Sequence, residues 1–370
     1  MISIKLPRRT GEEVVALGAD LKCRPALALN DTATILDEIG DLADPKNQEA
    51  LEDLLDRRSH QVILCDRHPG YFSTELAHRI SREKGTLLRD FQHHRAHVAA
   101  VCVEKGLFEE TVVGLAFDGT GYGDDGSVWG GEFFVGSIAA GFARRAHFAT
   151  LPIPGGDVAV RQPWRIALGL LIERGCDEGL VGDWMARRKI PAMDPALFRK
   201  AFGARLYTAR SSALGRWFDT ASALLGVCPN AAFEAQPAIE LQKLAQENIS
   251  ETCDIEWPFQ IKTEDPIVID FPDLLRIATS PEKDIPKLAL AFHIAVAKAT
   301  AEVASRLAES AHAERVIASG GCFLNGLFGR LLSERLSRSG LQYLKPGILP
   351  VGDQAIALGQ IGLALSRVNG

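Results

Sequence analysis

The chain has 370 residues, 46% hydrophobic and 24% charged, which suits a globular protein built as one bilobal fold or two ordinary units. Its net charge of -6 offers no overall basic field for nucleic acid, and no stretch reaches the roughly 20 uncharged apolar residues of a membrane span. The opening MISIKLPRRTGEE lacks the apolar run of a secretory signal, and the seven scattered cysteines form no C-x-x-C pair, so a reduced, cytoplasmic protein without nucleic-acid or membrane partners is expected.

In chain order, VVALGADL, ALALN and ATILDEI predict an opening β-meander over residues 13–39. A polar helix (Pro45 to Arg58) precedes the buried strand QVILCD at 61–66. A helix from Ser73 to Glu83 leads to the strand TLLRD, and HHRAHVAAVCVEKG is helical to about Gly106. The style then restarts. TVVGLAFDGTGYGDDG is a strand running into a glycine-rich turn, and WGGEFFVGSIA is a second strand whose WGGEF reads as a glycine bulge. Beyond Pro163 the chain is predicted helical to about Glu247. DIEWPFQIK and IVIDF are β-like, an amphipathic helix covers 283–309, and the strand RVIASGG feeds the helix FLNGLFGRLLSERLSRSG. Strand–turn runs beginning near Val14 and Val112 suggest a duplicated α/β lobe, divided as 1–108 and 109–370.

The run His93-His94-Arg95-Ala96-His97 stands out. At about 100° per residue, positions 93 and 97 lie about 40° apart on a helix and 94 and 97 about 60° apart, so either pair could chelate one metal. His60, His68, His78, His293 and His312 read as surface or satisfied core histidines. Asp118 closes a buried strand and presents its carboxylate at a strand end. Asp353, before the helix-like AIALGQIGLAL, could be a ligand or simply a helix cap. Two imidazoles with one or two carboxylates suit iron(II), zinc or manganese and leave a position open for a substrate oxygen. Gly119-Thr120-Gly121-Tyr122-Gly123 has the small residues that let backbone N–H groups approach a phosphate, although it is not a Walker loop. Ser319-Gly320-Gly321, with Asn325 one helical turn on, and Gly18 to Lys22 are further glycine-bearing strand ends. Cys322 reads as a small buried residue.

Taken together, LGADLK (17–22), CDRHPGYFST (65–74), QHHRAH (92–97), AFDGTGYGDDGSVWGGEF (116–133), LPIPGGDVAVRQPWRIAL (151–168), SALGRWFDTASALLGV (212–227), FEAQPAIELQKLA (233–245), SGGCFLN (319–325) and GDQAIALGQ (352–360) resemble the carboxy-terminal transferase domain of the HypF family. These are the carbamoyltransferases of nickel–iron hydrogenase maturation. More distantly the chain is similar to tRNA threonylcarbamoyl-transfer proteins and antibiotic O-carbamoyltransferases. The resemblance, which runs nearly the full length, implies an α/β protein of two actin-like, RNase H-like lobes (the Hsp70 and sugar-kinase type) with a nucleotide cleft between them. It implies a divalent metal, iron or zinc, on His93, His97, Asp118 and Asp353, which chooses against His94. Asp219 and Glu240 would grip ribose hydroxyls. Gly320, Gly321 and Asn325 would face the adenosine, and Gly119, Thr120, Gly121 and Gly123 the phosphates.

The implied reaction moves a carbamoyl group from carbamoyl-AMP to an acceptor, in that family a cysteine thiol at the tail of HypE, with AMP or ATP as the related nucleotides. Two patterns depart from the family: Pro350-Val351-Gly352-Asp353-Gln354 stands where P-N-D-G-G is usual, and Arg161-Gln162-Pro163 where Arg-Glu-Pro is usual. The YrdC-like domain that makes the adenylate in the family is not in this sequence, so a YrdC-like adenylate-forming partner is expected besides a HypE-like acceptor. The alternatives are a stand-alone relative acting on another protein or a small-molecule hydroxyl, a nucleotide sensor, and an actin-like ATPase or kinase.

Overall fold

The computed structural model describes residues 1–57, 61–190, 200, 208–247, 249 and 255–366. The helical expectation across 191–199 and 201–207, and the readings of His60 and Cys253, lie outside them.

Strands β1 (Ile2–Lys5), β2 (Val14–Ala16), β3 (Ala26–Leu29), β4 (Thr32–Ile35), β5 (Val62–Asp66) and β6 (Leu87–Phe91) form a sheet in the order β1-β4-β3-β2-β5-β6. β2 to β4 are the predicted antiparallel meander, and β1 adds an edge strand that the apolar pattern did not announce. β5 and β6 run parallel with β2, which requires crossovers, and these are α1 (Pro45–Asp56) and α2 (Phe72–Lys84). Helix α3 (His93–Lys105) then leaves the sheet.

The second sheet starts with β7 (Val112–Phe117), β8 (Gly131–Ser137) and β9 (Gly141–Phe148). All six residues of β7 are buried, as expected of a central strand covered on both faces. After β9 come β10 (Leu151–Pro154), α4 (Asp157–Arg161), α5 (Trp164–Glu173), α6 (Glu178–Arg187), β11 (Thr208–Ser211), α7 (Leu214–Leu225) and α8 (Gln236–Glu247). The helical run expected to Glu247 is therefore broken by β11, which pairs with β10 in a separate ribbon, a contact between residues 54 to 60 positions apart that local periodicity cannot show. Next are β12 (Gln260–Lys262), β13 (Ile267–Asp270), α9 (Leu274–Ala278), the long helix α10 (Ile285–Ala311), β14 (Arg315–Ser319), α11 (Gly326–Arg338), β15 (Gln342–Leu344) and α12 (Ile356–Ala364). By length and composition α10 could cross a membrane, yet 78% of its most apolar stretch is buried inside the fold, so it serves as a core helix of the second sheet.

The second sheet runs β12-β13-β9-β8-β7-β14-β15. Its five strands β9-β8-β7-β14-β15 repeat β4-β3-β2-β5-β6: an antiparallel meander whose first strand lies in the middle, followed by two parallel strands. Val14 and Val112, where the repeat was anticipated, are the first residues of β2 and β7.

The closing helix of each repeat is exchanged. α3 follows the first sheet but packs on β7, β8 and β14, while α12 ends the second repeat and packs on β2 to β6. Both are buried on nearly every side, and they cross in close contact. A Cβ on Gly359 would stand 1.9 Å from the Ala96 carbonyl oxygen, so only glycine allows this approach of two backbones. The crossing brings the first turns of α3 beside the start of α12.

Candidate metal centre and nucleotide cleft

α3 is capped by Gln92, whose side-chain carbonyl accepts from Arg95 N at 2.9 Å, so its three histidines occupy the opening turns. His93 Nδ1 meets Asp66 Oδ2 at 2.8 Å, and His97 Nδ1 meets Ser319 Oγ at 3.1 Å. Ser319 Oγ donates to Val351 O at 3.1 Å, so it accepts from the His97 ring. Each imidazole thus donates from Nδ1 and presents Nε2 on the other side. His97 Nε2 lies 3.1 Å from Asp118 Oδ2 and 3.5 Å from Asp353 Oδ1, and His93 Nε2 lies 3.8 Å from the same Asp353 oxygen. One ligand atom from each of these four residues lies within 4.8 Å of all the others.

A divalent cation fits this set. His93 Nε2 is buried without a hydrogen-bond partner, a costly state for a lone pair unless something binds there. Imidazole and carboxylate together match iron or zinc, and Asp66 and Ser319 supply the outer contacts that orient metal-binding histidines. The electrostatics agree. Burial disfavours a charged His93 ring, but Asp66, Asp353 and Asp118 outweigh it and raise its pKa to about 9. His97 likewise rises against burial, through hydrogen bonds to Asp118 and Asp353. Burial alone would raise Asp118, but His97 and His93 hold its carboxyl well below the usual range. The same carboxylates that favour positive charge on the two rings would favour a cation between them, and metal binding would compete with protons for the ring nitrogens.

His94 turns away. Gln92 Nε2 donates to its Nδ1 at 3.0 Å, and burial with the neighbouring His93 and His97 holds its pKa well below the usual value. The glycine turn explains how three rings fit. A Cβ on Gly121 would come 2.3 Å from His94 Cε1 and 3.2 Å from His93 Cδ2, and one on Gly123 would come 2.3 Å from Trp129 Nε1. These glycines make room for rings.

A cavity of about 350 Å³ lies beside the centre. Of the residues singled out from sequence, Asp118, Gly119, Asp219, Gly321, Cys322, Asn325 and Asp353 line it, as do Leu21 and Lys22 of the Gly18 turn. Thr120, Gly121, Gly123, Glu240 and Gly320 do not. Gly320 (φ +103°) backs onto the Phe117 carbonyl. Glu240 accepts from Gln236 Nε2 at 2.6 Å, while Ala238, Ile239 and Gln242 of the same helix α8 face the cavity. Asn325 is the N-cap of α11: its Oδ1 accepts from Phe328 N at 3.0 Å, and its Nδ2 donates to His293 Nε2 at 3.0 Å. Asp353 caps no helix; it begins a short 3-10 turn, and its side chain goes to the histidines. Asp219 pairs with Arg216 at 3.0 Å, and burial pushes its carboxyl up against the pull of that partner. Cys322, expected as a small buried residue, is partly exposed in the cavity wall, and its thiol is driven well up by desolvation with Asp118 adding to it, which disfavours a thiolate there.

Sequence reasoning gave no role to Asp66, Arg216, Glu234, Ile239 or Leu324, and named Ser319 only as part of a glycine turn. Asp66 carried a signal: it closes the buried strand β5 much as Asp118 follows β7. Leu324 and Ile239 are 70% and 40% exposed where they border the cavity, an apolar exposure that only the fold reveals.

The family described as "HypF Kae1-like domain" matches residues 9–104, and "Carbamoyltransferase, Kae1-like Domain, second subdomain" matches residues 114–360. A carbamoyltransferase HypF homolog of Cupriavidus necator is 37% identical over 369 residues, covering 95% of this chain and 91% of that protein. Carbamoyltransferase HypF of Synechocystis is 31% identical, covering 97% of this chain but 48% of its own length. Among solved structures, full-length HypF in a phosphate- and nucleotide-bound form superposes with a TM-score of 0.87 at 30% identity, over 100% of this chain and 57% of that one. HypF of T. kodakarensis gives 0.82 at 27% identity, over 98% and 49%. The chain thus spans about half the length of most of these relatives and nearly all of one, and its actin-like α/β fold is theirs. Matches to both Kae1-like families and to HypF proteins along nearly the whole chain establish that it belongs to the HypF carbamoyltransferase family.

Proposed function

We propose that the chain transfers a carbamoyl group from carbamoyl-adenylate to an acceptor, with the HypE C-terminal cysteine thiol of hydrogenase maturation as the first candidate. One observation carries this reading: Asp118 and Asp353 belong both to the four-residue metal cluster and to the cavity wall, so a ligand in the cavity reaches the centre directly. His93, His97, Asp118 and Asp353 would hold iron or zinc, which when bound supplies a Lewis acid. The other tasks fall to the protein. Leu324, Ile239 and Ala238 offer an apolar wall to the adenine, and Asp219 offers its Oδ1 to a ribose hydroxyl. Confinement between the lobes aligns the adenylate with the acceptor. The acceptor sulfur gives its proton to solvent and bonds the carbonyl carbon as the bond from that carbon to the phosphate oxygen breaks, and AMP departs with that electron pair. A YrdC-like partner would supply the adenylate. A cytoplasmic setting agrees with six described cysteines that are all free.

The test is elemental analysis together with consumption of preformed carbamoyl-adenylate. Wild type should bind one metal per chain and turn over, and the double variant His93→Ala, His97→Ala should do neither while keeping its circular-dichroism spectrum. Failure of the metal-loaded protein to consume the adenylate would defeat the transferase reading, and full turnover by metal-stripped protein would remove the metal from it.

A further inference from the structure

Arg216 stands in the first turn of α7, and it and Lys22 are the basic residues that line the cavity. Its side chain retains only 10% of its exposure. Nη2 pairs with Asp219 Oδ2 at 3.0 Å, whereas Nε and Nη1 are buried with no hydrogen-bond partner. A guanidinium is always charged and presents five donors in a rigid fork, so burying one with two nitrogens unmatched is costly. The surrounding backbone fixes where this fork sits. Gly215 N donates to Asp118 O at 3.0 Å, and a Cβ on Gly215 would stand 2.9 Å from Gly119 Cα, so the start of α7 is pinned against the turn that carries Asp118. Arg216 Nη2 is also the nearest atom to a Cβ placed on Gly119, at 3.3 Å. A half-satisfied cation therefore sits next to the metal cluster, in the wall of the cleft, steadied by Asp219.

We propose that Arg216 is the anion-binding residue of the cleft, turning its guanidinium onto a phosphoryl oxygen of the adenine nucleotide so that its unmatched donors gain a partner. Planar bidentate recognition of phosphate is what a guanidinium does best, and the carboxylate partner holds the fork ready for it. Asp219 then acts as a positioning residue through Oδ2. The inference rests on the cleft being a nucleotide site, and it assigns the phosphate contact to a charged side chain rather than to the glycine turn, whose Gly121 and Gly123 are occupied by rings.

The experiment is calorimetric titration of the full chain with two probes, AMP and adenosine. Arg216→Met should weaken AMP binding about 10- to 100-fold and leave adenosine within about twofold. Arg216→Lys, which keeps the charge but loses the fork, should fall between. Equal losses for both probes would reduce Arg216 to a structural role and overturn the proposal, as would unchanged AMP affinity or a wild type that does not prefer AMP to adenosine. If Arg216→Met does not fold, Arg216→Lys alone decides, since a selective loss for AMP is still required of it. A chain that meets these expectations yet fails to consume carbamoyl-adenylate would sink the transferase reading and leave the Arg216 assignment standing.

Discussion

The turn after β2, Gly18 to Lys22, and the turn after β7, Asp118 to Gly123, leave the first strands of the two matching five-strand repeats, and both contain an aspartate. In the first, the Asp20 carboxylate accepts from Phe72 N at 2.6 Å, Ser73 N at 3.0 Å and Ser73 Oγ at 2.7 Å, serving the bare N–H groups at the start of α2. Gln360 clamps Gly18 by accepting from its N at 3.0 Å and donating to its O at 3.2 Å. In the second, Asp118 Oδ1 accepts from Gly119 N at 2.7 Å, but Oδ2 goes to His97. What each acid does is set by the helix it meets. One meets unsatisfied backbone donors and serves as a cap; the other meets imidazoles and stands among the four residues that could hold a metal.

Exchanging the two acids for alanine is the strongest way to break this contrast. Asp118→Ala should lose the bound metal by elemental analysis while its unfolding midpoint barely moves. Asp20→Ala should keep the metal and lose about 1–3 kcal/mol of stability in urea titration, because the donors of α2 are stranded. Equal behaviour would mean the two turns are not divided as described.

The glycines sharpen the contrast further. Gly121→Ala drives a methyl into the His94 and His93 rings, so metal affinity should fall about 10-fold, the lower end of the range for disturbed outer contacts. Gly18→Ala meets nothing closer than 3.6 Å and is opposed by its φ of +79°, so it should cost about 1 kcal/mol and leave the metal alone. A competitive chelator titration of both variants checks this, and a Gly121→Ala protein with wild-type affinity would contradict it.

The smallest effect at neutral pH concerns how the turns are held. Gln360 does not titrate, but the loop ending at Asn325 leans on His293, whose pKa burial lowers to about 4 against a hydrogen bond to Ala289 O. The native ring stays neutral, while the unfolded chain takes up a proton near pH 6.5, so stability should be intact above that pH and decline as pH falls toward 4. Urea midpoints at pH 7, 5.5 and 4.5 for wild type and His293→Gln test it: the variant should show a flatter decline, and parallel curves would exclude His293 as the cause.

How much of this was legible varies with the range of the interaction. Strands β5, β7 and β14 announced themselves as short apolar runs ending in turns, and the α3 histidines by helical spacing. Spacing could not choose between His93 and His94, because the choice depends on Asp66 and Ser319 gripping the far side of two rings. Nor could it tell whether Asp353 capped a helix. Glu240 shows what helical phase adds to a motif: residues 238, 239 and 242 of α8 line the cavity, and position 240 points elsewhere on the helix. The burial of Arg216 and the pairing of β10 with β11 are tertiary facts without a local sequence period.

The exchange of α3 and α12 has a mechanical consequence. His93 and His97 ride on a helix bedded against the second sheet, and Asp118 hangs from that sheet, whereas Asp353 opens the helix bedded against the first. Any rocking of one half against the other would therefore shift one member of the cluster relative to three, so a metal held there would feel the aperture of the molecule as a clasp does.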